Sequence, residues 1–183
     1  RRSRRVTVSS MPRFGFYAFA LAACLSLVAS SCRPGGIVGE GEPLESAGDL
    51  DVARYGHGLV VLADDSVIAL GGVTDDGITD AVERWSPADS WATVGALPEP
   101  AAWSCAAVLG ETVVVAGGER EAGAATDAVF ASRDAGASWE RVGSLQVGRY
   151  RAGCASDEQT LYVVAGTTQG GEASAAVDAL RVT

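Results

Sequence analysis

The sequence predicts an all-β fold of consecutive four-stranded antiparallel units, with one N-terminal helix of targeting type before them. Three observations carry this expectation. From Leu50 onward the chain repeats itself with a period near 50 residues. Its apolar residues come in runs of three to five bounded by Gly, Asp and Ser, a pattern of short strands and not of amphipathic helices. Glycine is abundant, 23 of 183 residues, as tight turns between short strands require.

Residues 1–32 read as an export segment. Five of the 14 basic residues, all of them Arg, lie before residue 14: Arg1, Arg2, Arg4, Arg5 and Arg13. An apolar stretch of 15 residues follows, Phe14 to Val28. It is shorter than the roughly 20 residues a membrane-spanning helix needs. A basic start, a short apolar core and small residues at its end are the features of a secretory signal helix. Met11 is a second candidate start, and the Arg at position 1 suggests an incomplete or misassigned reading frame.

Residues 33–47 read as a flexible linker, because Pro34, Gly35, Gly36, Gly39, Gly41 and Pro43 break any periodicity. From Cys32 onward nine Arg stand against 23 acids. A surface of that sign repels phosphate backbones, so nucleic acid is not an expected partner.

Residues 48–183 hold the repeats, about 50–97, 98–145 and 146–183. Each opens on a Leu after a small residue: Asp49-Leu50, Ala96-Leu97, Ser144-Leu145. The first and third then run in parallel, Leu50-Asp51-Val52-Ala53-Arg54-Tyr55 beside Leu145-Gln146-Val147-Gly148-Arg149-Tyr150. An apolar strand ending in glycine comes next: Val67 to Gly71-Gly72, Val113 to Gly117-Gly118, and Leu161 to Gly166, where Thr167 stands in for the second Gly. The double glycine ends an inner strand at a turn too tight for side chains. A further strand follows, Asp80 to Trp85, Asp127 to Phe130 and Ala176 to Leu180. Trp91 and Trp139 close the first two repeats and are expected to fill space between neighbouring units. Strands this short need neighbouring sheets stacked on them, and about four per 50-residue unit is the blade of a β-propeller. Residues 43–50 align with the fourth strand of a repeat. With only about three blades an incomplete propeller is expected, one that aggregates or pairs into a six-blade ring.

These residues resemble the kelch family of β-propellers. Gly71-Gly72, Val82-Glu83-Arg84-Trp85 and Trp91 carry the likeness in the first repeat, Gly117-Gly118 and Trp139 in the second, and Gly166 in a degenerate third. The resemblance implies fold and says little of function, since kelch propellers host binders and enzymes alike. Ser132-Arg133-Asp134-Ala135-Gly136-Ala137-Ser138-Trp139 resembles the Asp-box hairpin of sialidase-like propellers, in which the Asp bonds the amides of its own turn. Leu27-Val28-Ala29-Ser30-Ser31-Cys32 resembles the lipobox of bacterial lipoproteins and implies a lipid on Cys32, with Leu21-Ala22-Ala23-Cys24 as the alternative.

The chemistry-bearing residues are few. His57 is the sole His, which excludes a His-rich metal site and the two His that galactose oxidase, a copper enzyme on kelch repeats, uses. Asp64-Asp65 and Asp75-Asp76 read as solvated turns, not as calcium or acid–base pairs. Arg54, Arg149 and Arg151 can face a central opening and hold a carboxylate such as that of sialic acid, or form structural ion pairs. Cys105 and Cys154 lie near corresponding strands, and export would permit a disulfide between them. No catalytic constellation, metal site or cofactor is expected. The expected function is non-catalytic binding of a protein or carbohydrate at the cell envelope through loops on one face. A fragment of a glycan-active propeller enzyme is the alternative. The expected location is the outer membrane or cell surface, otherwise periplasmic or extracellular, with the lipid as the sole tie to the membrane.

Overall fold

The structure, a computed structural model, describes residues 46–181. The signal segment, Cys24, Cys32 and nearly all of the linker lie outside the described residues. Among the described residues there is no helix. Eleven strands build three antiparallel sheets, each paired in chain order. The first blade holds β1 (Gly58–Val61), β2 (Val67–Leu70), β3 (Ala81–Ser86) and β4 (Asp89–Ala96). The second holds β5 (Cys105–Leu109), β6 (Thr112–Ala116), β7 (Ala128–Ser132) and β8 (Glu140–Ser144). The third has three strands, β9 (Gly153–Ser156), β10 (Thr160–Val164) and β11 (Val177–Arg181). Ser46 to Leu50, aligned in sequence with a fourth strand, form no strand.

The pairing register aligns the blades residue by residue. Ala69 faces Glu83, Val115 faces Phe130 and Val163 faces Asp178. Alternation along each strand then sends one set of side chains to each neighbouring sheet. Val60, Ile68, Leu70 and Val82 of the first blade pack with Val113 and Val115 of the second. Cys105, Ala107, Val114, Ala116 and Val129 of the second pack with Leu161 and Val163 of the third. The middle blade is covered on both faces, so β6 and β7 are buried along their whole lengths.

The glycine at the end of each second strand has a steric cause. Gly71 has φ +59°, and a Cβ there would lie 2.0 Å from the Ala101 carbonyl oxygen of the next blade. Gly117 has φ +65° and would meet the Arg149 carbonyl at 2.5 Å. In the third blade the structure corrects the alignment. Ala165, at φ 58°, takes the place of Gly71 and Gly117, and its N–H donates to Ala176 O as theirs do to Ala81 O and Ala128 O. Gly166, at φ +103°, corresponds to Gly72 and Gly118. The first glycine is therefore the one replaced, by Ala165, and Thr167 lies beyond the pair.

Cys105 and Cys154 form a disulfide with Cα atoms 5.7 Å apart, joining the first strands of the second and third blades. Sequence spacing had left that pairing open.

Candidate functional site

Several polar residues that looked like chemistry turn out to hold the fold. Arg54 and Glu83 form an ion pair with both side chains at 0% exposure. Arg149 repeats it with Asp178, Nη2 to Oδ2 2.5 Å. The carboxylates also receive the backbone of the incoming connector: Asp51 N–H donates to Glu83 Oε2 at 2.7 Å, and Gln146 N–H to Asp178 Oδ1 at 3.1 Å. At the same three positions the second blade has Ala101, Phe130 and Pro98. Proline has no N–H to donate, so no acceptor is required, and a buried apolar pair replaces the charges.

Asp134 is structural in the same sense. Its Oδ1 accepts from Ser132 Oγ (2.8 Å) and Ser138 N–H (2.9 Å), and its Oδ2 accepts from Ser138 Oγ (2.5 Å). These bonds, first those from Ser138 and then that from Ser132, hold its carboxyl at about 2. Trp139 Nε1 donates to Gly136 O at 3.1 Å, and a Cβ on Gly136 would lie 2.9 Å from Val82 Cγ1 of the first blade. The hairpin from Ser132 to Trp139 thus packs the second blade onto the first, with Trp139 against that shared core. Trp85 and Trp91 are half-buried on the outer strands of the first blade. Asp64 caps its turn through Ser66 and pairs with Arg84, while Asp75 and Asp76 are exposed turn residues.

A different group converges in the connectors that lead into β1, β5 and β9. Six residues after each repeat-opening Leu stand Gly56, Trp103 and Arg151, with φ of 64°, 57° and 54°. A left-handed backbone suits Gly, but Trp and Arg held there store about 1–3 kcal/mol each. The three are chained: Trp103 N–H donates to Gly56 O (2.7 Å) and Arg151 N–H to Trp103 O (3.0 Å). Their side chains stack in the same order. The Trp103 indole covers Gly56, where a Cβ would lie 2.7 Å from the ring. The Arg151 guanidinium lies 5.0 Å above the Trp103 ring and 5.4 Å from that of Tyr150. Tyr55, 61% exposed, meets Trp103 edge-on at 6.0 Å.

The electrostatics of this row are distinctive. Among the described residues six arginines are in ion pairs, whereas Arg151 rests on aromatic faces and is exposed. His57 and Ser104, each the next residue after a stacked position, carry Nδ1 and Oγ atoms buried without a hydrogen-bond partner among the described residues. Burial, and secondarily the Arg54 charge, push the His57 imidazole below its ordinary value, so it is neutral near pH 7. The row offers an exposed aromatic, a cation and two neutral polar groups. No hydrogen bond pairs His57 with Ser104 among the described residues. Sequence reading singled out Arg151 but missed Tyr55 and Trp103. Counting six positions from Leu97 would have placed Trp103 in register with Arg151.

The surface depressions lie elsewhere. One, of about 570 Å³, is lined by Arg84, Ser86, Asp89, Trp91 and Val94 on the outer strands of the first blade. Its charged groups are engaged locally, Arg84 with Asp64 and Asp89 with the Ser86 hydroxyl.

Neither a protein-family profile nor a curated protein sequence matches the chain. In fold it is similar to the solved structure titled "Structure of YjhT", with a TM-score of 0.62 and 19% sequence identity over 72% of this chain and 44% of that one. The chain thus spans less than half the length of YjhT, and at this identity the likeness establishes fold alone. It supports reading the sheets as propeller-like blades.

Proposed function

We propose that the chain is an exported, kelch-like repeat protein that binds a ligand at the cell envelope without transforming it. In this reading a lipid on Cys32 holds it to the membrane and the connector row is its binding surface. The single observation that carries the binding assignment is the stack of Arg151 on Trp103, both held on a left-handed backbone, with the exposed Tyr55 ring at its edge. Strain of that kind persists where surrounding structure enforces it, and it clusters at ligand sites. A carbohydrate bearing a carboxylate matches the surface best. Its C–H face suits the exposed Tyr55 ring, and its anion suits the Arg151 guanidinium stacked on Trp103. A protein loop carrying an acidic side chain offers the same two features.

The test is a glycan array with the full chain, scored beside Tyr55→Ala and Arg151→Ala. Binding to acidic glycans is expected to fall at least about tenfold in Arg151→Ala, a loss of roughly 1.4 kcal/mol. Unchanged binding in both variants would refute the assignment. Release of free sugar in a parallel hydrolysis assay would replace it with the glycan-active enzyme.

A further inference from the structure

The two blade junctions inside the chain follow one rule. From the first blade to the second, Gly72 N–H donates to Ala101 O (2.9 Å), Ala101 N–H to Thr79 O (3.3 Å) and Trp103 N–H to Gly56 O (2.7 Å). From the second to the third, Gly118 N–H donates to Arg149 O (2.9 Å), Arg149 N–H to Thr126 O (3.2 Å) and Arg151 N–H to Trp103 O (3.0 Å). Side chains repeat the rule. A Cβ on Gly58 would lie 3.1 Å from Ala106 Cβ, and the equivalents of those two residues are the bonded pair Cys105 and Cys154.

The third blade presents one half of this junction and the first blade the other. Gly166 N–H, Ser174 O and Arg151 O are the third blade's equivalents; Arg54 O, Arg54 N–H and Gly56 N–H are the first blade's. None of the six has a backbone hydrogen bond among the described residues. The adjoining faces are apolar. Tyr162, Val164 and Val177 are 38%, 41% and 56% exposed, whereas Ile68, Leu70 and Val82 at the same positions of the first blade are 0–2% exposed. Leu59 and Val61, on the receiving face, are 56% and 62% exposed.

We propose that a second copy of this chain covers these faces, the third blade of each copy packing on the first blade of the other. A head-to-tail contact forms a filament unless rotation closes it. Two copies give six blades, within the four to eight typical of propellers, whereas three copies would give nine. One residue departs from the internal rule. Ala165 carries a methyl group where Gly71 and Gly117 leave room for a neighbouring carbonyl. The contact between copies is therefore looser than the internal ones, and association is reversible. This inference rests on the blade junctions and is independent of the ligand assignment.

The experiment uses the full chain in mild detergent. Light scattering is expected to give a two-copy mass at micromolar concentration. Tyr162→Arg, on a face exposed within one chain, should reduce it to one copy, and Ala165→Gly should lower the dissociation constant. The rule also places Gly153 of one copy beside Leu59 of the other. Leu59→Cys with Gly153→Cys should therefore oxidise to a covalent dimer with a 59–153 bridge in peptide maps, which neither single variant gives. A one-copy mass with free thiols overturns the proposal. So does a 59–153 bridge within one chain, which would mean three blades closing on themselves, or a two-copy mass that survives Tyr162→Arg.

Discussion

Arg54 and Glu83 show how one residue's role depends on two others. Removing either partner leaves a buried charge without its complement, a loss of about 3–5 kcal/mol. The second blade demonstrates the apolar alternative, so Arg54→Ala with Glu83→Phe is expected to be less destabilising than Glu83→Ala alone. Denaturant unfolding of the two variants checks this order. The amides of Asp51 and Val52 still need acceptors in the double variant, so adding Asp51→Pro should recover further stability.

Asp134 gives a pH dependence with a definite sign. Its carboxyl is held at about 2 in the folded chain, below its ordinary value near 3.9. Folding therefore favours the ionised form, and this contribution is complete above about pH 4 and lost as pH falls towards 2. The melting temperatures of the protein and of Asp134→Ala should converge across that window; a constant gap would contradict the hydrogen-bond account. His57 acts in the opposite chemical direction with the same slope. Its lowered value means that the unfolded chain binds a proton first, so stability declines as pH drops through about 6.5.

Gly71 and Asp75 mark the extremes of tolerance. Gly71→Ala forces a methyl group into the Ala101 carbonyl and is expected to cost about 3 kcal/mol or more. Asp75→Ala, on an exposed turn, should stay within about 0.5 kcal/mol. Thermal melts of both variants test the order.

At the scale of elements, the disulfide and the sandwiched middle blade set the distribution of stability. Closing a loop of 49 residues restricts the unfolded chain by about 4 kcal/mol in the entropic account. Cys105→Ser with Cys154→Ser should thus lower unfolding free energy by about 2–5 kcal/mol, read in denaturant with the unreduced protein as reference. β6 and β7 are buried at every position, while β1 alternates between buried and exposed residues and β9 is exposed throughout. Amide exchange should be slowest in β6 and β7 and fastest in β9. Equal protection across the three sheets would show that the blades do not open separately.

For the whole molecule, the export reading has its own test. Cys32→Ser should move the protein from the membrane to the soluble fraction and abolish fatty-acid labelling; persistent labelling would point to Cys24. The all-β class, the strand runs and the glycine turns were legible because each rests on local pattern: short β-branched runs, Gly where φ is positive, Asp and Ser in turns. The hairpin around Asp134 could be read as structural for the same reason, since its bonds stay within a few residues of chain.

What the sequence by itself determined is this local grammar and its period, down to the equivalence of Leu50, Leu97 and Leu145. Tertiary structure alone decided how distant members of each repeat meet. The Cys105–Cys154 bond, the exchange of Arg54 and Glu83 for Ala101 and Phe130, and the row of Tyr55, Trp103 and Arg151 all join residues about 28 to 50 apart. Ala165 shows the same limit, because the pairing register and not the count of glycines fixed which glycine it replaces. Periodicity specifies which face of a strand a side chain takes. Which neighbour that face then meets depends on the stacking of sheets, and stacking is a property of the packed blades together.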